Sequence, residues 1–315
     1  MSPLAVIAIG GNSLISDSQH QSVADQKVAA RETSRHIADL VSWGWNVVIT
    51  HGNGPQVGFI MLRAELAEQT LHHTLSLDIA GADSQGGIGY MLQQALQNEF
   101  RRRGIAKQVV ALVTQTRIDP TDPALQQPSK PIGAFYSASE AQHMQQERGW
   151  TMIEDAGRGW RRVVPSPYPR EIVESSVIST MIEAGFVVIC TGGGGVPVIA
   201  NEQGDLMGVE AVIDKDLASS LLASTLQADL LLISTGVEKI ALHYHKPEQH
   251  DLHKMTLSEA RHYQEEGHFA RGSMEPKIRA VIEYLERGGK AALITMPETI
   301  TQAMIGESGT WIVPD

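Results

Sequence analysis

Leu4-Ala5-Val6-Ile7-Ala8-Ile9-Gly10-Gly11-Asn12 carries an apolar run of strand length straight into two glycines and an asparagine. The design recurs. The run over 46–50 precedes His51-Gly52-Asn53-Gly54-Pro55, and that over 186–190 precedes Thr191-Gly192-Gly193-Gly194-Gly195-Val196-Pro197. Glycine lets backbone N–H groups approach an anion, and loops at the carboxyl ends of strands are where an open α/β sheet meets its ligand. Further apolar runs at 108–113, 229–233 and 290–294 alternate with helical patterns, which predicts a largely parallel sheet covered on both faces. Ile88, Met91, Leu92, Ala95 and Leu96 show helical spacing, as do Ile172, Val173, Val177, Ile178, Met181 and Ile182, and both sets read as core faces of helices.

The region from Arg117 to Pro169 breaks this rhythm. It is rich in proline and holds one helical pattern near Ser139–Arg148 and the polar run from Glu154 to Arg162. These features predict a protruding subdomain over 117–169, inserted in an N-terminal half (1–185) that precedes a C-terminal half (186–315).

The chain has 315 residues, 42% of them hydrophobic, with 25 Lys+Arg against 36 Asp+Glu for a formal charge of −11. Its only basic run, Arg101-Arg102-Arg103, closes a helical pattern, so neither nucleic acid nor an anionic membrane is an expected partner. An anionic substrate must then be met by locally placed lysines and backbone amides. Cys190 is the one cysteine, inside a strand-like run, which leaves no disulfide framework and points to a reducing compartment. No apolar stretch approaches the ~18 residues of a membrane span and the start lacks a signal pattern, so a soluble cytoplasmic protein is expected.

Several residues invite a chemical reading. Gly10-Gly11-Asn12 is either a tight turn or a ligand loop in which Asn12 donates an amide hydrogen. His51 reads as a packing or hydrogen-bonding residue. The four glycines at 192–195 do not open a dinucleotide site, because the strand-like Val196-Pro197-Val198-Ile199 follows where a helix would be needed, and no Walker A motif exists. Asp214-Lys215-Asp216 opens a helix with Asp214 as N-cap. A lysine in that first turn opposes the helix dipole; it either pairs with a neighbouring aspartate or faces solvent, or it meets a transferring phosphoryl group. Gly272-Ser273-Met274-Glu275-Pro276-Lys277 repeats the arrangement, with Ser273 as candidate cap and Lys277 at the helix start. Lys130, held between Pro128 and Pro131 on the protrusion, is a third lysine able to reach a cleft. His243, His245, His250 and His253 lack zinc-site spacing and read as part of a solvated loop. Anion loops and lysines without an acyl-transfer nucleophile point to phosphoryl transfer.

Ile9-Gly10-Gly11-Asn12, His51 to Gly58, Lys130-Pro131-Ile132-Gly133, Arg161-Arg162-Val163-Val164-Pro165-Ser166-Pro167, Val212 to Asp216 and Gly272 to Lys277 together resemble the carbamate kinases of the amino acid kinase superfamily, in order over essentially the full length. The resemblance implies a three-layer α/β/α sandwich with a largely parallel open central sheet, an inserted protruding lid, and a homodimer. It implies reversible phosphoryl transfer between ATP and carbamate with Mg2+, in nitrogen-compound breakdown. By the same resemblance, Lys130, Lys215, Lys277 and Asp214 form the catalytic set, with Asp214 orienting the lysines. Gly10, Gly11, Asn12, Gly52, Asn53 and Gly54 hold carbamate or carbamoyl phosphate; Gly193, Gly194, Thr235, Gly236, Ser273 and Met274 hold ATP or ADP; no metal ligand is assigned. One block departs: where Thr-Asp-x-Asp and then an aromatic residue are expected, the chain has Thr235-Gly236-Val237-Glu238-Lys239-Ile240-Ala241, which predicts weakened nucleotide binding or a different acceptor. The alternatives are another small-molecule kinase of the superfamily with a different carboxylate acceptor, and a weakly active nucleotide-binding paralogue.

Overall fold

The computed structural model describes residues 2–10, 14, 22–71, 74–155, 159–244, 246–270 and 272–315. Among them the first strand, β1 (Leu4–Ile9), lies inside an eight-stranded sheet. On one side it pairs with β2 (Asn46–His51), followed by β9 (Val187–Ile189) and β3 (Val109–Ala111); on the other it pairs with β12 (Leu230–Ser234), followed by β16 (Ala292–Thr295). These strands are mutually parallel. At the far edge β17 (Thr310–Val313) runs antiparallel to β16, and β15 (Lys254–Thr256) runs parallel to β17.

The continuous apolar character of β1 has a simple cause: both of its faces are covered. Ala5, Ile7 and Ile9 pack with α1 (Val23–Ser42), α3 (Leu77–Arg103) and α9 (Ile300–Met304), through residues such as Ile37, Leu92, Phe100 and Ile300. Val6 and Ala8 pack instead with α5 (Ser175–Glu183), α6 (Lys215–Thr225), α7 (Leu257–Glu265) and α8 (Glu275–Glu286), through Ile178, Leu222, Ala260 and Val281. The predicted layers, helix over sheet over helix, are therefore present. Arg101-Arg102-Arg103 ends α3 as expected, with Gly104 closing it at φ 67°.

Two readings of the sequence are corrected. Ile172 belongs to β8 (Pro169–Ile172), which pairs with β4 (Gln115–Ile118), and α5 starts only at Ser175, with Val177 44% exposed. Two apolar residues on either side of a turn mimicked helical spacing. The histidine-bearing segment is not a plain loop: β13 (Ile240–Leu242) and β14 (His250–Leu252) form an antiparallel hairpin, anchored by the buried Ile240 and Leu252. His245 lies outside the described residues.

β4 and β8 also belong to a four-stranded sheet with β10 (Val196–Ala200) and β11 (Leu206–Gly208), so the glycines at 192–195 do lead into a strand. Between β4 and β8 the chain makes a separate three-stranded sheet, β5 (Lys130–Tyr136), β7 (Trp160–Val164) and β6 (Thr151–Glu154), with α4 (Ala138–Arg148). A Ser137–Glu140 capping box starts α4 and Gly149 ends it, yet Ala141 is its only buried residue. α2 (Gly54–Leu71) lies against β5, and the approach is close: a Cβ on Gly58 would stand 2.7 Å from the Gly133 Cα.

Candidate active site

The carboxyl ends of β1, β2 and β12 open onto two cavities that meet at Lys215 and Lys277. The smaller, about 280 Å³, is bounded by the Gly52-Asn53-Gly54 loop, by Lys130 on β5, by Gly193 and by Asp214. The larger, about 930 Å³, passes over Gly10, Thr235 and Gly236 to Met296-Pro297-Glu298. Lys215, Gly272, Ser273 and Lys277 border both.

At the junction two aspartates divide the work of holding three lysines. Asp214 is the N-cap of α6: its Oδ1 accepts from the backbone N–H of Asp216 (2.9 Å) and Leu217 (3.3 Å), and its Oδ2 accepts from Lys130 Nζ at 2.7 Å. Asp216, one residue into the helix, is buried and takes Lys215 Nζ on Oδ1 (2.6 Å) and Lys277 Nζ on Oδ2 (3.0 Å). Asp214 thus reaches Lys130 alone among the lysines by hydrogen bond, and Asp216 is the residue that sequence reasoning left out of the catalytic set. Its i+2 spacing from Asp214 was the available signal.

Burial by itself would raise the Asp216 carboxyl, but the two ammonium groups outweigh burial and hold it well below the usual carboxylate range. Lys215 is pulled below its ordinary value by burial, which Asp216 offsets only in part and the charge of Lys277 reinforces. For Lys277 the balance is reversed, since Asp216 and Asp214 together overcome its burial and raise it. The side chains of Lys215 and Lys277 are 13% and 15% exposed, that of Lys130 39%, so the lysine carried by the inserted sheet is the one with room to move.

The acceptor loop is built by close packing. His51 is buried, its Nδ1 lies 3.1 Å from the Gly52 carbonyl oxygen, and burial pushes its imidazole down to about 4. It is a neutral packing residue, as its sequence context suggested. The Asn53 amide donates to Ser84 Oγ at 2.8 Å. Beneath this loop lie the four glycines. A Cβ on Gly192 would stand 2.4 Å from the His51 ring, one on Gly193 2.1 Å from the Asn53 amide nitrogen, and one on Gly194 2.7 Å from Ile213. Gly193 is placed on the Asn53 side of the site and Gly194 against Ile213, and neither borders the larger cavity. Thr191, fully buried at φ 52°, turns the chain into this floor.

The remaining candidates are placed as follows. Gly10 borders the larger cavity, while Gly11 and Asn12 lie outside the described residues. Ser273 borders both cavities but does not cap α8; Met274 occupies that position with no side-chain cap bond, and its side chain packs on the core. Around Gly236 a Cβ would meet nothing within 4 Å, and Ala241 is buried in β13 opposite Asp251. Among the described residues no group of three or more His, Cys, Asp or Glu is placed to hold a metal ion.

The sequence profile of the amino acid kinase family matches residues 3–296. A carbamate kinase of Thermococcus kodakarensis is 49% identical over 310 residues, 98% of each chain, and a carbamate kinase-like protein of Escherichia coli (strain K12) is 47% identical over 99% of each chain. The structure of the Giardia lamblia carbamate kinase bound to AMP-PNP superposes with a TM-score of 0.92 at 44% identity, covering 100% of this chain and 99% of that one. Near-complete coverage in sequence and in structure leads to one conclusion: the chain belongs to the amino acid kinase family.

Proposed function

We propose that the protein is a carbamate kinase, transferring a phosphoryl group reversibly between ATP and carbamate. One observation carries the reading: the Lys215–Asp216–Lys277 group stands where an acceptor-sized cavity meets a nucleotide-sized one. In the ATP-forming direction a β-phosphate oxygen of ADP attacks the phosphorus of carbamoyl phosphate and the P–O bond to the carbamate breaks. Carbamate leaves as an anion and, in reverse, attacks as one, so no general base is required. The chain contributes alignment and charge stabilisation. Lys215 and Lys277 face the transferring group, Lys130 closes on it from the inserted sheet, and the Gly52-Asn53-Gly54 loop holds the carbamoyl end. Gly193 supports that loop, a role on the acceptor side in place of nucleotide binding, and Gly194 packs against Ile213 beside Asp214. Thr235, Gly236 and Ser273 border the nucleotide.

Magnesium fits this site as part of the nucleotide substrate, where it would neutralise phosphate charge. The two carboxylates at the cavity junction are already engaged, Asp214 by Lys130 and Asp216 by two lysines.

The departure at Gly236 borders the larger cavity, which supports a bearing on nucleotide affinity. We further propose a homodimer in the cytoplasm, acting in nitrogen-compound breakdown. Ile79 and Tyr90 on α3 and Leu206 and Met207 on β11 are exposed apolar side chains on neighbouring elements, suited to a second copy. The test of activity is a coupled assay of ATP formation from ADP and carbamoyl phosphate. Turnover well above background is expected, and folded protein with background turnover only would overturn the reading.

A further inference from the structure

Away from the catalytic cleft, a cavity of about 170 Å³ lies between α2 and the inserted sheet, where Arg162 on the central strand β7 and Trp150, just before β6, line it. Its charges are unequally satisfied. Arg148 is paired with Glu68 at 2.9 Å, and Glu210 Oε1 accepts the Leu77 backbone N–H at 2.8 Å. Arg162 has neither a hydrogen bond nor an ion pair among the described residues; its guanidinium lies 4.6 Å from the centre of the Trp150 ring. Glu65, on the α2 wall, is likewise without a hydrogen-bond partner or ion pair among the described residues. Met61 and Leu75 supply the apolar part of the lining. Trp150 is itself fixed, with Tyr136 edge-on at 6.3 Å.

A half-buried guanidinium whose nearest carboxylates, Glu210 and Glu65, stay out of hydrogen-bonding contact keeps a desolvation cost that an anion with two in-plane oxygens would relieve further. Burial indeed lowers Arg162 and raises Glu65 from their ordinary values. Across this cavity Arg162 and Glu65 attract each other, and Glu210 also acts on Arg162, but neither carboxylate comes within hydrogen-bond or ion-pair reach of the guanidinium, so charges of both signs face one small space. A simple anion would satisfy one end and leave the other, and a nucleotide is too large.

We propose that this cavity binds a small aliphatic α-amino acid as its zwitterion, the carboxylate on Arg162, the ammonium on Glu65 and the side chain against Met61 and Leu75. The bound molecule would tie β7 to α2. Because α2 begins at Gly54 of the acceptor loop and packs on the strand bearing Lys130, occupancy would bear on closure of the inserted sheet over the cleft.

The experiment is calorimetric titration of the full-length protein with glycine, L-alanine, L-valine and L-leucine up to millimolar concentrations, with isobutyrate and isobutylamine as probes lacking one charged end. At least one amino acid should bind and change the fluorescence of wild-type protein but not of the Trp150→Phe variant. Arg162→Met and Glu65→Gln should each weaken binding by about tenfold or more, the effect of losing one charge-assisted bond. Lys277→Ala, in the cleft, should leave binding unchanged. Should Arg162→Met fail to fold, Glu65→Gln alone decides. No binding by any of the four amino acids overturns the proposal, as does affinity unaffected by either substitution, or isobutyrate binding as tightly as L-valine, which would mark an anion site. None of these outcomes depends on the carbamate kinase assay.

Discussion

At Asp216 a single carboxylate faces two buried ammonium groups, and the imbalance sets what substitutions will do. Removing Lys277 leaves a matched Lys215–Asp216 pair and relieves repulsion between the lysines, so the apo fold loses little. Activity should nevertheless fall by about a hundredfold or more, the scale of losing one preorganised electrostatic stabiliser. Asp216→Ala leaves two buried cations uncompensated and should cost about 3–5 kcal/mol of stability as well as activity. Thermal melts beside the coupled assay check both, and the expectation fails if Lys277→Ala melts as low as Asp216→Ala. His51 gives a pH signature. Its folded value of about 4 lies below the ordinary 6.5, so between these values the unfolded chain binds more protons than the folded one. Its contribution is complete above pH 6.5 and is lost as pH falls through this window, a change of about 3 kcal/mol. Between pH 7 and 5, before the carboxylates titrate, unfolding free energy should therefore fall with pH in the wild type and stay flatter in His51→Gln; equal slopes from urea titrations would remove His51 as the cause.

Among the elements, the packing of a loop on a loop and of a helix on a strand decides where the acceptor can bind. Gly193 has φ 65° and no space for a methyl group beside the Asn53 amide. Gly193→Ala should displace that amide and raise KM for carbamoyl phosphate with KM for ADP little changed, because the larger cavity is untouched. A rise confined to ADP would return the glycines to the nucleotide side. Gly58→Ala makes a second, independent probe. Its methyl would press on the Gly133 Cα and push β5, with Lys130, away from α2, so kcat should drop while the melting temperature changes modestly. Undiminished kcat would show that Lys130 reaches the cleft regardless of that contact.

Over the whole molecule the inserted sheet with α4 stands apart from the central sheet and meets the rest chiefly where β5 packs on α2. α4 buries one residue, whereas β1 is buried on both faces in two separate cores. Amide exchange in 130–164 should accordingly be fast in the apo protein and slow when ADP and carbamoyl phosphate bind together, as Lys130 is drawn over the cleft. Equal protection with and without both ligands would make the segment a fixed arm.

Much of this was legible in the sequence. Strands at 4–9, 46–50 and 229–233 announced themselves because a strand covered on both faces must be apolar throughout, and Asp214 announced a helix start because its carboxylate can satisfy free N–H groups locally. Lys215 and Lys277 were legible for a similar local reason, a cation placed at the wrong end of a helix dipole. What depended on residues distant in the chain was not. The mistaken helix at Ile172 and the hairpin at Ile240–Leu252 were settled by pairing with strands that local periodicity cannot see. The union of Lys215 and Lys277 on Asp216 joins residues 61 positions apart. The four glycines looked like a ligand loop of their own, and only the fold could bring His51 and Asn53 down onto them. Sequence determined the layers and the charged groups at the strand ends, because those follow from periodicity and local capping; tertiary structure alone decided which groups share a partner, because that depends on distances in space.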